Sequence, residues 1–299
     1  MNEPMRVFDR ALLRTRQRRA HAQGAATFLL ERVAGDLAER LGAVLRDFPV
    51  AVDLETPADD LRRALSPNRR IGTMIAAHPL QEQLPRGGMA VVADAELLPF
   101  RDASLDLVVS ALALHFANDL PGALAQIRRA LRPDGLFLAA LLGGETLSEL
   151  RQAFTIAEAE LTAGASPRVA PFADVRALGM LLQRAGFALP VADVDRITVR
   201  YATPFALLDD VRRMGGANVL VDRSRSPLRR AVLLRMAEVY AQRFADADGR
   251  VRATFEIVWL SGWAPHESQQ KPLRPGSAAT RLAAALGATE RSAGEKPRR

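Results

Sequence analysis

The sequence predicts a doubly wound α/β fold with a mostly parallel sheet, preceded by N-terminal helices and carrying a helical insertion before its last strand. Three observations lead there. From Val50 onward, short apolar runs alternate with helix-periodic stretches, the pattern of βαβ units. The runs are apolar at successive positions, as strands covered by helices on both faces must be. With 299 residues, 48% of them hydrophobic, the chain is long enough to bury a large core.

The elements follow in order. Residues 1–48 read as a helical preface: Phe8, Ala11 and Leu12 share one face of a first helix and Arg6, Arg10, Arg14 and Arg18 another, and Leu30, Val33, Leu37 and Leu41 mark a second. An α/β domain spans 49–271. Its candidate strands are Val50 to Leu54, Ile71 to Ala77, Met89 to Ala93, Leu105 to Ala111 and Leu136 to Leu142. A helix from Leu120 to Leu131 is closed by Pro133 and Gly135. The insertion, around 146–245, brings helices at 147–161, 174–185, 204–214 and 228–244, the last with Ser226 as N-cap and Pro227 in its first position, and a strand at 191–201. A final strand runs from Val251 to Trp263, with Trp259 and Trp263 on one face. Residues 272–299 form a tail, expected to be disordered from about 284.

Composition excludes several classes. The chain has no Cys and four scattered His, so disulfides, thiolate catalysis and an imidazole-rich metal site are not expected. No apolar run approaches the ~20 residues of a membrane span. No secretory signal is legible, Glu3 and Asp9 argue against an organelle address, and the expected location is cytoplasmic. The net charge of +7 resides in the ends: residues 1–48 carry net +3, residues 271–299 net +5, and the body is close to neutral. That distribution does not describe a nucleic-acid-binding face. The basic first helix instead suits an acidic partner or peripheral contact with an anionic membrane surface.

The chemistry of such a sheet belongs at the carboxyl ends of its strands. The first strand ends Asp53-Leu54, and Glu55-Thr56-Pro57-Ala58-Asp59 follow. A nucleotide-binding turn there calls for glycines, and none is present. Thr56-Pro57-Ala58-Asp59 reads instead as a self-capping helix start, with Thr56 as N-cap.

Further segments carry a family resemblance: Val7-Phe8-Asp9-Arg10, Ala95-Glu96-Leu97-Leu98-Pro99-Phe100, Asp106-Leu107-Val108-Val109-Ser110, Leu114 through Pro121, Pro133-Asp134-Gly135 and Gly143-Gly144-Glu145-Thr146-Leu147. Together they resemble the class I S-adenosylmethionine-dependent methyltransferases, a Rossmann-like family. Within it they are similar to the group of the mitochondrial complex I assembly factor that is an arginine hydroxylase and the malonyl-acyl carrier protein methyltransferases. Gly262-Trp263, His266 through Gln269 and Pro275 through Ala278 resemble the assembly factor more narrowly. The resemblance implies S-adenosylmethionine as cofactor, with Asp53, Glu55, Asp94, Ala95 and Glu96 at its binding positions and His115 near the transferred group.

The departures from that pattern are equally informative. Positions 55–59 hold two acids and a proline where the family has glycines, and no acid ends the second strand, where Ala76, Ala77 and His78 stand. Bland roles remain open beside these: Asp53 accepting loop amides, Asp94 and Glu96 solvated, and His115 packed rather than catalytic. The resulting expectation is a methyltransferase-fold protein that acts on or binds a protein partner, a respiratory complex I subunit by resemblance, with cofactor binding weakened or lost. The alternative is an active methyltransferase or protein-arginine hydroxylase with an altered cofactor loop.

Overall fold

A computed structural model describes residues 6–162, 164–270, 283 and 287–289. The chain divides into two compact units, residues 1–265 and 266–299. In the second, the His266 ring and the Ser268 hydroxyl are hydrogen-bonded at 2.7 Å. Of the tail expected from 284, only 287–289 are described, so its disorder falls outside the described residues, as does the Pro275 to Ala278 part of the resemblance.

The first unit opens with α1 (Arg10–Ala22) and α2 (Phe28–Gly42), then alternates β1 (Phe48–Leu54), α3 (Asp60–Leu65), β2 (Ile71–His78), β3 (Met89–Val92), β4 (Leu105–Ala111), α4 (Leu120–Ala130) and β5 (Leu131–Leu142). The insertion supplies α5 (Ser148–Leu161), α6 (Val175–Arg184), β6 (Ala188–Tyr201), α7 (Pro204–Arg213) and α8 (Arg230–Phe244), and β7 (Val251–Trp263) ends it. Among the described residues seven strands form one sheet, in the order β3-β2-β1-β4-β5-β7-β6. The first five are parallel, while β7 runs antiparallel to both β5 and β6.

The period of two sorts the core into two layers. Leu107, Val109 and Ala111 of β4 pack with α2, α5 and α8, whereas Val108 turns to α4 and α6 with Phe137, Leu124 and Leu182. Phe137 stacks on Phe187 at 5.5 Å between ring centroids. Gly262 makes this possible, because a Cβ there would come within 2.9 Å of the Phe187 side chain. Trp259 is buried in the first layer and Trp263 packs against it.

Three local expectations change. Leu131 does not end α4 but opens β5, pairing with Leu105. Asp134 then takes φ +65° beside a register shift, so the Pro133 turn is absorbed as an irregularity within the strand. Ser226 is not an N-cap; the chain stays non-helical through Leu228, which lines a cavity, and α8 begins at Arg230. The buried face of α1 is formed by Leu13 and Ala20 with Phe8 ahead of the helix, while Ala11 is exposed. The helix is turned this way because its arginines have partners on the sheet side.

Candidate functional site

The loop after β1 takes a conformation that its sequence does not favour. Glu55 has φ +55° and Ala58 φ +61°, both in the left-handed region where a Cβ costs about 1–2 kcal/mol. The path is that of a glycine turn built from residues with side chains. Thr56 cannot cap a helix from here: it is buried, its hydroxyl accepts from Ala111 N at 3.0 Å, and α3 starts only at Asp60. The self-capping expectation is therefore corrected, since the hydroxyl ties the loop to the end of β4 instead.

Glu55 turns inward, nine-tenths buried, and its Oε1 accepts the Ala95 amide at 2.7 Å. Arg10 of α1 reaches the same oxygen at 3.3 Å and, through its other terminal nitrogen, Asp94 and Glu96 at 2.8 Å each. Arg14, one turn further along α1, meets Asp94 at 2.5 Å, and Arg18 pairs with Glu82. Burial raises the Glu55 pKa, opposed chiefly by the Arg10 charge, while the three carboxylates raise that of Arg10 against its own desolvation. Glu96 also accepts the Asn118 amide at 2.5 Å, and the Asn118 side chain holds the backbone of Val7 and Phe8. Arg10, Arg14 and Arg18 of α1 thus meet the chain's own acids.

The structure brings four of Asp53, Glu55, Asp94, Ala95, Glu96 and His115 into one cluster. Glu55, Asp94, Ala95 and Glu96 come together around Arg10. Asp53 lies apart, fully buried, with Arg62 Nη1 at 2.5 Å from its Oδ2. Burial lifts its pKa to about 6 despite that guanidinium. At the end of β2, His78 is buried and its Nδ1 accepts the Leu80 amide at 3.0 Å; burial lowers its pKa to about 4.

His115 belongs to a different place. It sits against Phe116 and Phe172 at 4.3 and 5.0 Å between centroids, and burial lowers its pKa to about 3. The ring is neutral. It lines an apolar cavity of about 650 Å³ at the carboxyl end of the sheet, walled by α1, α5, α7 and the loops at Pro57, Leu112 and Phe172. None of Asp53, Glu55, Asp94 or Glu96 lines that cavity.

Sequence reasoning did not single out Arg10, Arg14 or Asn118 as parts of this arrangement. The legible signal was the i, i+4 arginine pair of α1 opposite acids at 55, 94 and 96. Among the described residues no group of three or more His, Asp or Glu is placed to hold a metal, and no helix is long and apolar enough to cross a membrane.

Comparison with known proteins bears on this geometry. Residues 50–139 match the model of a methyltransferase domain. The chain is 39% identical over 283 residues to the human mitochondrial arginine-hydroxylase NDUFAF5, covering 92% of this chain and 81% of that protein. The zebrafish (Danio rerio) NDUFAF5 is 38% identical over 92% of this chain and 88% of its own length. A malonyl-[acyl-carrier protein] O-methyltransferase of Laribacter hongkongensis is 38% identical over 65% of this chain and 66% of its own. In three dimensions, a candidate methyltransferase of Bacillus halodurans C-125 superposes with TM-score 0.54 at 17% identity, over 77% of this chain and 99% of that one, a likeness of fold alone. The cytoplasmic location expected from the sequence is overturned here. The relatives matched over 92% of the chain are named as mitochondrial.

Proposed function

The chain belongs to the NDUFAF5 arginine-hydroxylase family within the class I methyltransferases, and from that premise we propose that it serves complex I assembly as a binding protein whose S-adenosylmethionine site its own side chains have closed. The family expectation is that this cofactor binds. The residues present do not fit it. One observation carries the reading: the Glu55 carboxylate, in the loop where the family has glycine, engages both the Ala95 amide and Arg10. The amide and acids expected to meet an adenine are then committed to groups of the chain itself, and Asp94 is held by two arginines. The missing ribose acid supports the same conclusion, since His78 stands at that strand end with its ring nitrogen already used.

The partner in this reading is a protein of respiratory complex I, recognised by the surface around α1 and the insertion. Peripheral contact with a membrane fits the exposed arginines that remain. Deleting the gene in its source organism and following complex I by native electrophoresis tests the proposal. Assembly falls on deletion and returns with the native chain, while mass spectrometry of the complex I subunits finds neither a methyl nor a hydroxyl group that depends on this chain. Such a modification supports the enzymatic alternative, and undisturbed assembly removes the assembly role.

A further inference from the structure

The apolar cavity adjoins the loop after β1, whose Pro57 and Ala58 line it, and its lining has a definite charge sign. Its walls are mainly aliphatic and aromatic, with Leu30, Leu150, Phe154, Phe172 and Leu208 among them. The charged groups on the lining are Arg16, Arg168, Arg212, Arg213 and one acid, Asp209. Most are already matched. Arg168 is paired with the buried Glu158, Arg212 with Asp209 at 3.2 Å, and Arg213 donates to the Gly24 carbonyl at 3.0 Å while lying 4.0 Å from Asp210.

Arg16 is different. It donates to the Asn218 carbonyl, and no ion-pair partner is found for it among the described residues. Asp9, the acid that acts on it, is itself engaged by Arg223 at 3.1 Å. Desolvation and the neighbouring charges of Arg223 and Arg19 lower the Arg16 pKa, which marks a guanidinium in want of an anion. A guanidinium ligand would meet like charge there and no free carboxylate.

We propose that this cavity binds an aliphatic carboxylate, its hydrocarbon chain against the apolar walls and its head group on Arg16. A volume of about 650 Å³ lies within the ~300–1,000 Å³ of sites that enclose small organic ligands. The apolar walls supply burial without selectivity for the head group, and Arg16 supplies the selectivity through a charge-assisted hydrogen bond. The proposal rests on Arg16 and the apolar walls, not on closure of the cofactor cleft, with which the cavity shares Pro57 and Ala58 but none of the acids at 55, 94 and 96.

The test compares three ligands with one tail and different heads, dodecanoate, dodecanol and dodecylguanidinium, each below its micelle-forming concentration, by isothermal titration of the full chain at neutral pH. Dodecanoate binds about tenfold to a hundredfold tighter than dodecanol, and dodecylguanidinium binds weakest. Arg16→Gln, which keeps an amide donor for the Asn218 carbonyl, brings dodecanoate to the level of dodecanol, and Arg16→Lys retains most of the preference. Leu208→Trp, which adds bulk to the wall, weakens all three. Binding of dodecylguanidinium as tight as that of dodecanoate, binding of none of the three, or a carboxylate preference that survives Arg16→Gln would overturn the proposal. The ranking on the native chain decides the matter even where a variant folds poorly.

Discussion

Two neighbouring regions at the carboxyl end of the sheet met opposite fates. In the cleft over β1, β2 and β3 the chain's own ions meet: Glu55, Asp94 and Glu96 converge on Arg10 of α1. The cavity next to it, beyond β4 and β5, stays open and apolar, with His115 neutral in its wall. α1 contributes to both, since Arg10 and Arg14 serve the cleft while Arg16, Gln17 and Ala20 line the cavity. An ion cluster and an apolar cavity thus lie side by side at one end of the sheet. The two depend on different residues of one helix.

Acidification gives the largest expected effect and tests both sides at once, because each region holds one buried histidine. His78 and His115 have folded pKa values of about 4 and about 3, below the usual 6.5. Their neutral forms therefore stabilise the fold fully above pH 6.5, and that stability is lost as pH falls toward the folded values. Each contributes a loss of about 1.4 kcal/mol per pH unit in that window. Asp53, whose buried carboxyl has a folded pKa of about 6, works in the opposite direction below that value, so thermal melts should show the steepest decline just below pH 6.5, and His115→Phe should reduce the slope by about 1.4 kcal/mol per pH unit. A slope unchanged in that variant contradicts the assignment to the cavity.

Arg10→Ala breaks the cleft alone. It leaves the nine-tenths buried Glu55 and two half-buried acids without their shared cation. The expected loss is about 2–3 kcal/mol, or roughly 5–10 °C in Tm, and Arg10→Ala with Glu55→Gln should recover part of it. An unshifted melt would show that the ion cluster is a surface ornament. Arg16→Gln should move Tm far less, since Arg16 makes no ion pair among the described residues.

Thr56→Ala sharpens the boundary between the regions. With the hydroxyl gone, the buried Ala111 amide lacks its acceptor, at a cost of about 1–2 kcal/mol. Thr56→Asn, which rescues an N-cap, should fail to rescue this site because Thr56 is buried. Ala58→Gly carries the smallest effect and the opposite sign. Relief of the left-handed backbone at φ +61° should raise stability by about 0.5–1 kcal/mol.

The sheet was legible because its signal is collective: Leu105 to Ala111 alternates between two apolar layers, and the strand stands where the apolar run begins and ends. The loop was legible only by what it lacks. Thr56-Pro57 satisfies the local chemistry of a helix start, yet tertiary contacts win, since the buried hydroxyl finds Ala111 across the sheet and Ala58 turns left-handed. The Ser226-Pro227 pair failed for a related reason, with the chain drawn along the cavity wall before α8 can begin. The acids at 55, 94 and 96 were found singly. Their common partner, Arg10, lies 45 residues from the first of them, a separation at which spacing says nothing about contact. The cavity left no motif at all, because its lining is gathered from distant segments of the chain.

The central claim is that the cofactor cleft is closed by Glu55 and Arg10, and titration calorimetry with S-adenosylmethionine and S-adenosylhomocysteine on the full chain tests it most directly. The account predicts no heat of binding, or a Kd weaker than about 1 mM, where less than about 4 kcal/mol is available. A Kd near 1 µM for either compound, which requires about 8 kcal/mol of contacts, would contradict it.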